Sequence, residues 1–155
     1  TQVNSDGFGD ADNIWIGGFA EFDGYLYIGT RNDTTGGQLW RSSNGTAWQQ
    51  VMGNGFGDLN NTKIELAISF HNALYVSTTN AETGLEVWRS EDGLNFVQVN
   101  RDGFAGNNSI VSTLWSSGTA VYQNKLYIGT SNDAEGGAVW RTPHTYNVFL
   151  PMIIK

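Results

Sequence analysis

The sequence predicts an all-β fold built from three copies of one four-stranded antiparallel unit. The first observation is repetition. Val3-Asn4-Ser5-Asp6-Gly7-Phe8 returns as Val51-Met52-Gly53-Asn54-Gly55-Phe56 and as Val99-Asn100-Arg101-Asp102-Gly103-Phe104, with 48 residues between Gly7 and Gly55 and again between Gly55 and Gly103. The Trp40-Arg41 pair recurs as Trp88-Arg89 and, 52 residues further on, as Trp140-Arg141, so four residues enter between Gly103 and Leu126. The second observation is composition: 20 glycines, 13% aromatic residues and only 15% charged residues suit short strands and tight turns. The third is the absence of any sustained 3.6-residue apolar period, which leaves no amphipathic helix.

Each unit reads as four strands in order. The first runs over 14–22, with copies over 64–70 and 113–122. It ends at a two-residue turn, Asp23-Gly24, His71-Asn72 or Gln123-Asn124, made of residue types that tolerate the positive φ such hairpins need. The second strand, Tyr25-Leu26-Tyr27-Ile28, is aromatic and apolar, as are its copies from Leu74 and Leu126. A longer Asn- and Gly-containing loop leads to the third strand, Gln38-Leu39-Trp40-Arg41 and its copies. A tight turn then gives the fourth strand, 48–51 in the first unit and 96–99 in the second. Four antiparallel strands repeated every 40 to 50 residues are the pattern of a β-propeller blade. Blade 1 spans about 5–51, blade 2 about 52–99 and blade 3 about 100–150, with 1–4 as an outer strand and 151–155 as a tail.

The turns before the fourth strands, Ser42-Ser43-Asn44-Gly45-Thr46-Ala47-Trp48 and Ser90-Glu91-Asp92-Gly93-Leu94-Asn95-Phe96, share Ser-x-(Asn/Asp)-Gly-x-x-aromatic. This resembles a shortened Asp-box hairpin of sialidases and related propellers. The resemblance implies that Ser42, Asn44, Ser90 and Asp92 bond to the turn backbone while Trp48 and Phe96 pack beneath it. The third copy, Thr142 to Val148, keeps only the hydroxyl.

Propellers close with four to eight blades, so three blades leave two end faces wanting neighbours. Thr1, Gln2, Val3 and Asn4 align with the fourth-strand segment Gln49 to Met52, as though the chain opens with the last strand of a preceding blade. Val139, Trp140 and Arg141 with Val148, Phe149 and Leu150 form the matching edge. The expected partner is therefore the chain itself, by strand donation and buried blade faces. A two-fold axis along the ring gives a closed six-blade dimer; a translation gives a filament. A third reading is that these blades belong to a longer chain. The tail from Phe149 to Lys155 is expected to dock on a neighbouring subunit.

The net charge of −7 opposes binding to nucleic acid or to an anionic membrane surface, and no apolar stretch is long enough to span a bilayer. There is no cysteine, hence no disulfide framework or thiolate site. Acceptor tripeptides at Asn32, Asn44, Asn60 and Asn107, and a start at Thr1 without Met, point to a processed extracellular or cell-surface protein. His71 and His144 have no spacing suited to a metal or a triad, and the carboxylates lie mostly in turns. The acidic loop from Asp6 to Asn13 offers oxygens that calcium takes, but not at EF-hand spacing. We therefore expect no catalytic residues, metal or cofactor. The leading function is a self-assembling structural propeller. The alternative is a glycan-binding propeller using Asn32, Asp33, Asn80, Glu82, Asn132 and Asp133, with Trp15 and Trp115 as stacking candidates; an Asp-box glycosidase is a distant third. Trp40, Trp88 and Trp140, present in every copy, are read as inter-blade packing, and Arg41, Arg89 and Arg141 as stacking partners of neighbouring aromatics.

Overall fold

The computed structural model describes residues 1–104, 118–132 and 136–142. Among them the chain is all-β and propeller-like, with three short 3-10 turns and no α-helix. Blade 1 comprises β1 (Trp15–Phe22), β2 (Tyr25–Arg31), β3 (Leu39–Ser42) and β4 (Gln49–Met52). The second repeat unit, labelled blade 2, comprises β5 (Asn61–Phe70), β6 (Ala73–Asn80), β7 (Glu86–Ser90) and β8 (Val97–Gln98). β5 also pairs with β2 at Lys63 and Arg31, so the first two units share one eight-stranded sheet. Blade 3 contributes β9 (Thr119–Tyr122), β10 (Lys125–Thr130) and β11 (Ala138–Arg141). Every consecutive pair within a blade is antiparallel, and equivalent registers recur: Ile28 faces Trp40, Val76 faces Trp88 and Ile128 faces Trp140. The third-blade segments 113–117, 143–150 and 151–155 lie outside the described residues.

The hairpins form as their residues require. His71 and Asn72, and Gln123 and Asn124, all have positive φ, as do Asp23 and Gly24, which matches the strand twist in a two-residue turn. β5 begins at Asn61, three residues earlier than periodicity places it. Asn61 N donates to Asp58 O at 2.9 Å, closing the preceding turn, and the ladder to Asn80 then starts at once.

The Asp/Asn-Gly-Phe segments are 3-10 turns over Asp6–Gly9, Asn54–Gly57 and Asp102–Phe104. Each holds its phenylalanine in the left-handed region, with φ of 59° at Phe8, 62° at Phe56 and 64° at Phe104. A bulky residue there is strained. What each copy gains is a stack: the Phe8, Phe56 and Phe104 rings lie 4.6, 4.9 and 4.8 Å from those of Trp40, Trp88 and Trp140. The same unusual backbone occurs three times beside the same ring, so it belongs to the architecture rather than to a reaction site.

Blades meet through two apolar layers. One joins Phe22, Tyr27 and Leu39 of blade 1 to Phe56, Ile64, Leu74 and Val76, with Trp88 and Phe96 against it. The other joins Phe70, Tyr75, Leu85 and Val87 of blade 2 to Phe104, Leu126, Ile128 and Trp140. Each fully buried Leu, Val or Phe contributes about 1.5–3 kcal/mol of transfer free energy, so these layers dominate the energetics. Blade 1 comes very near blade 2: a Cβ at Gly29 would lie 2.5 Å from Ile64 O, which excludes any side chain there.

Candidate functional site

The repeated asparagines sit at the heart of a duplicated polar network. Asn32 Oδ1 accepts from Thr34 N at 3.0 Å and Thr35 N at 2.8 Å, closing its loop in the manner of an Asx turn. Its Nδ2 donates to Asp10 Oδ2 at 3.1 Å and to Asn13 Oδ1 at 3.2 Å. Asn80 repeats the arrangement, accepting from Glu82 N and Thr83 N and donating to Asp58 Oδ2 and Asn61 Oδ1. Both amides are fully buried. With two donors and two acceptor contacts used, neither amide has an atom to offer a ligand without breaking its loop. Asp33 lies at the surface in a two-bond pair with Arg31, both contacts 2.8 Å, and Glu82 is exposed. That hydrogen bond raises Arg31 above its ordinary pKa. Asn132 is half-buried, and Asp133 and Trp115 lie outside the described residues. The structure thus brings Asn32 together with Asp10 and Asn13, and Asn80 with Asp58 and Asn61. The acidic-loop residue Asp10 is drawn inward as a hydrogen-bond acceptor.

The turns before the fourth strands are held by side chain to backbone bonds. Asn44 Oδ1 accepts from Thr46 N and Ala47 N, and Ser42 Oγ accepts from Gly45 N at 2.9 Å. Asp92 Oδ1 accepts from Leu94 N at 2.9 Å, Asn95 N at 2.8 Å and Ser90 Oγ at 2.9 Å. The bonds from Asn95 and Leu94, with that from Ser90, hold the Asp92 carboxyl well below the usual carboxylate range. The arginines pack as aromatic partners: Arg41 lies 4.3 Å over the Tyr25 ring, and Arg89 Nε donates to Tyr75 Oη at 3.1 Å. The Tyr75–Arg89 bond has no equivalent in blade 1, since Tyr27 Oη and Arg41 Nε are buried with no hydrogen-bond partner.

A shallow cleft where blades 1 and 2 join is lined by Arg31, Thr62, Lys63, Glu65 and Thr79. Glu65 is buried and fully engaged: Lys63 Nζ is 2.8 Å from its Oε1, and Thr79 Oγ1 donates to its Oε2 at 3.1 Å. Lys63 also lies 4.1 Å over the Trp15 ring, which makes Trp15 a platform for that cation. The sequence reading overlooked this cluster. Its signal was a break in the repeat, because Lys63 and Glu65 stand where blade 1 has Trp15 and Gly17.

Among the described residues, the outward faces of blades 1 and 3 expose apolar side chains. Tyr122 and Val139 of blade 3 are 61% and 62% exposed, whereas their blade 2 counterparts Phe70 and Val87 are 8% and 0% exposed. On blade 1, Phe8 and Leu26 are only half-buried, whereas their blade 2 counterparts Phe56 and Leu74 are buried; Trp40 and Trp48 are half-buried, as are Trp88 and Phe96. Thr1 to Asn4 lie outside any strand, beside that open face. Trp48 Nε1 donates to Val3 O at 2.9 Å, and Gln2 Nε2 donates to Asp6 Oδ1 at 2.6 Å. The second contact has the same form as the one from Gln98 Nε2 to Asp102 Oδ1, also 2.6 Å. Val139, Trp140 and Arg141 form β11, paired among the described residues with β10 alone; Val148, Phe149 and Leu150 lie outside them.

No family model and no curated protein matches the chain. Among solved structures it is similar to the GH32 β-fructofuranosidase BmSUC1 of Bombyx mori, at 15% identity and a TM-score of 0.47. It is also similar to a substituted form of that enzyme in complex with sucrose, at 16% identity and a TM-score of 0.45. Each match covers 88% of this chain and 34% of the enzyme, so the chain spans about a third of the length of these neighbours.

Proposed function

We propose that this protein is a non-catalytic structural subunit of an extracellular assembly, and that the outer face of blade 3 docks head-to-tail on the open face of blade 1 of a second copy. One observation carries the reading. The chain twice buries the face it leaves open on blade 1, and each time it does so with the face it leaves open on blade 3. Phe22, Tyr27 and Leu39 cover blade 2, and Phe70, Tyr75 and Val87 cover blade 3. Tyr122, Tyr127 and Val139 are the third member of that series, and Phe8, Leu26 and Trp40 are its receiving surface. Contact between these two unlike patches is heterologous, so it closes into a ring or extends as a filament according to its rotation. The segment Thr1 to Asn4 then lies at the joint, placed to extend β11 of the neighbour.

The test is the mass in solution. Light scattering of the full chain is expected to exceed the 17.0 kDa of one chain. Val139→Asp should return it to one chain, because a buried unpaired charge at the centre of an interface is not tolerated. A wild-type protein that stays at the single-chain mass at high concentration removes the proposal.

A further inference from the structure

One position of the repeat, buried in blades 1 and 2, carries an amide, a carboxyl and a methyl in turn: Gln38, Glu86 and Ala138. In blade 1, Gln38 Oε1 accepts from Asn13 Nδ2 at 2.9 Å and Trp40 Nε1 at 3.0 Å, while its Nε2 donates to Asp10 Oδ2 at 3.4 Å. In blade 2, Glu86 Oε2 accepts from the equivalent groups, Asn61 Nδ2 at 2.7 Å and Trp88 Nε1 at 3.2 Å. By the equivalence of the copies, its other oxygen takes the place of the Gln38 amide nitrogen, towards Asp58, the counterpart of Asp10. The amide brings hydrogens to that place, whereas an ionised carboxylate brings lone pairs and a second negative charge. The packed turn beside each residue widens the contrast. Asn54-Gly55 packs on Gly36-Gly37 in blade 1, but Asp102-Gly103 packs on Leu85 in blade 2.

We propose that Glu86 holds a proton in the folded protein, on the oxygen facing Asp58, so that its carboxyl donates where Gln38 donates and the junction of blades 2 and 3 closes in its acid form. The charged groups acting on Glu86 are Asp58, ahead of β5, and Asp102, after β8; its other partners, Asn61 and Trp88, are neutral. Burial pushes the carboxyl above its ordinary range, the Asn61 and Trp88 bonds oppose this, and Asp102 and Asp58 add to it. Loss of the proton sets a third negative charge beside the turn that fixes β7, where Gly103 N and Asn100 Nδ2 donate to Leu85 O at 3.1 and 2.9 Å. That turn also carries Phe104, stacked on Trp140 of blade 3. At the equivalent positions of the junction of blades 1 and 2 stand Gln38 and Asn54, amides that do not ionise. Because the folded state binds this proton more tightly than the unfolded chain, the stabilisation is complete below the ordinary glutamate range and is lost as pH rises through the folded value.

Carbon-detected NMR of the Glu86 carboxyl in the full chain, with melting curves from about pH 4 to about pH 8, tests this. Glu86 should titrate above the ordinary glutamate range, and the melting temperature should fall by several degrees as it does. Glu86→Gln should abolish that part of the fall and melt at or above wild type at the upper pH. Gln38→Glu should steepen it by giving blade 1 the same acid. A Glu86 carboxyl that titrates as in a free peptide, or a Glu86→Gln protein with the wild-type slope, overturns the proposal. The wild-type titration decides alone if a variant does not fold.

Discussion

Blades 1 and 2 are nearly the same object in two settings. The strand registers, the left-handed phenylalanine, the stacked tryptophan and the asparagine network recur, but blade 2 has a neighbour on each side and blade 1 has one. Phe56 and Leu74 are buried because blade 1 covers them; Phe8 and Leu26, in the same places on blade 1, are not. The difference therefore reports the setting and not the sequence. Local chemistry specifies a blade, while burial, and hence most of the stability, is supplied by the next blade along.

Substitutions at matched positions can break or sharpen this comparison. The largest effect is expected at the stacked rings. Phe56→Ala should cost about 3–5 kcal/mol in denaturant unfolding, as for a buried aromatic, and Phe8→Ala measured at low concentration much less. Equal costs would mean that the blade 1 face is already covered. Next come the buried amides: Asn80→Ala strands Asp58, Asn61 and two loop N–H groups, and should cost about 2–3 kcal/mol, with Asn32→Ala close behind. A surface role in sugar binding would instead leave stability unchanged. A smaller effect is expected at the tyrosines. Tyr75→Phe removes the partner of Arg89 Nε and should cost about 1 kcal/mol, while Tyr27→Phe, which removes an unpartnered hydroxyl, should be neutral or stabilising.

The sequence reading of the fold succeeded where the cause is local. Positive-φ turns at His71-Asn72 and Gln123-Asn124 follow from residue types, and the strand order follows from the repeat. The site was less legible, because the fate of Asn32 and Asn80 depends on residues brought in from about twenty positions away, Asp10, Asn13, Asp58 and Asn61. An asparagine repeated in every loop has the same appearance in a sequence whether it meets a sugar or seals a buried network. The Lys63–Glu65 pair was missed for the opposite reason, since attention to what recurs passes over what differs. Glu86 became informative only when Gln38 was seen to make its bonds.

Mixing two disabled chains tests the central claim most directly. Leu26→Asp removes the receiving face and leaves blade 3 intact, whereas Val139→Asp removes the docking face and leaves blade 1 intact. Each alone should sediment as one chain, and an equimolar mixture should give a species of twice that mass and none larger, because only one productive joint remains. Variants that still assemble alone, or a mixture that stays at the single-chain mass, would contradict head-to-tail docking of these two faces.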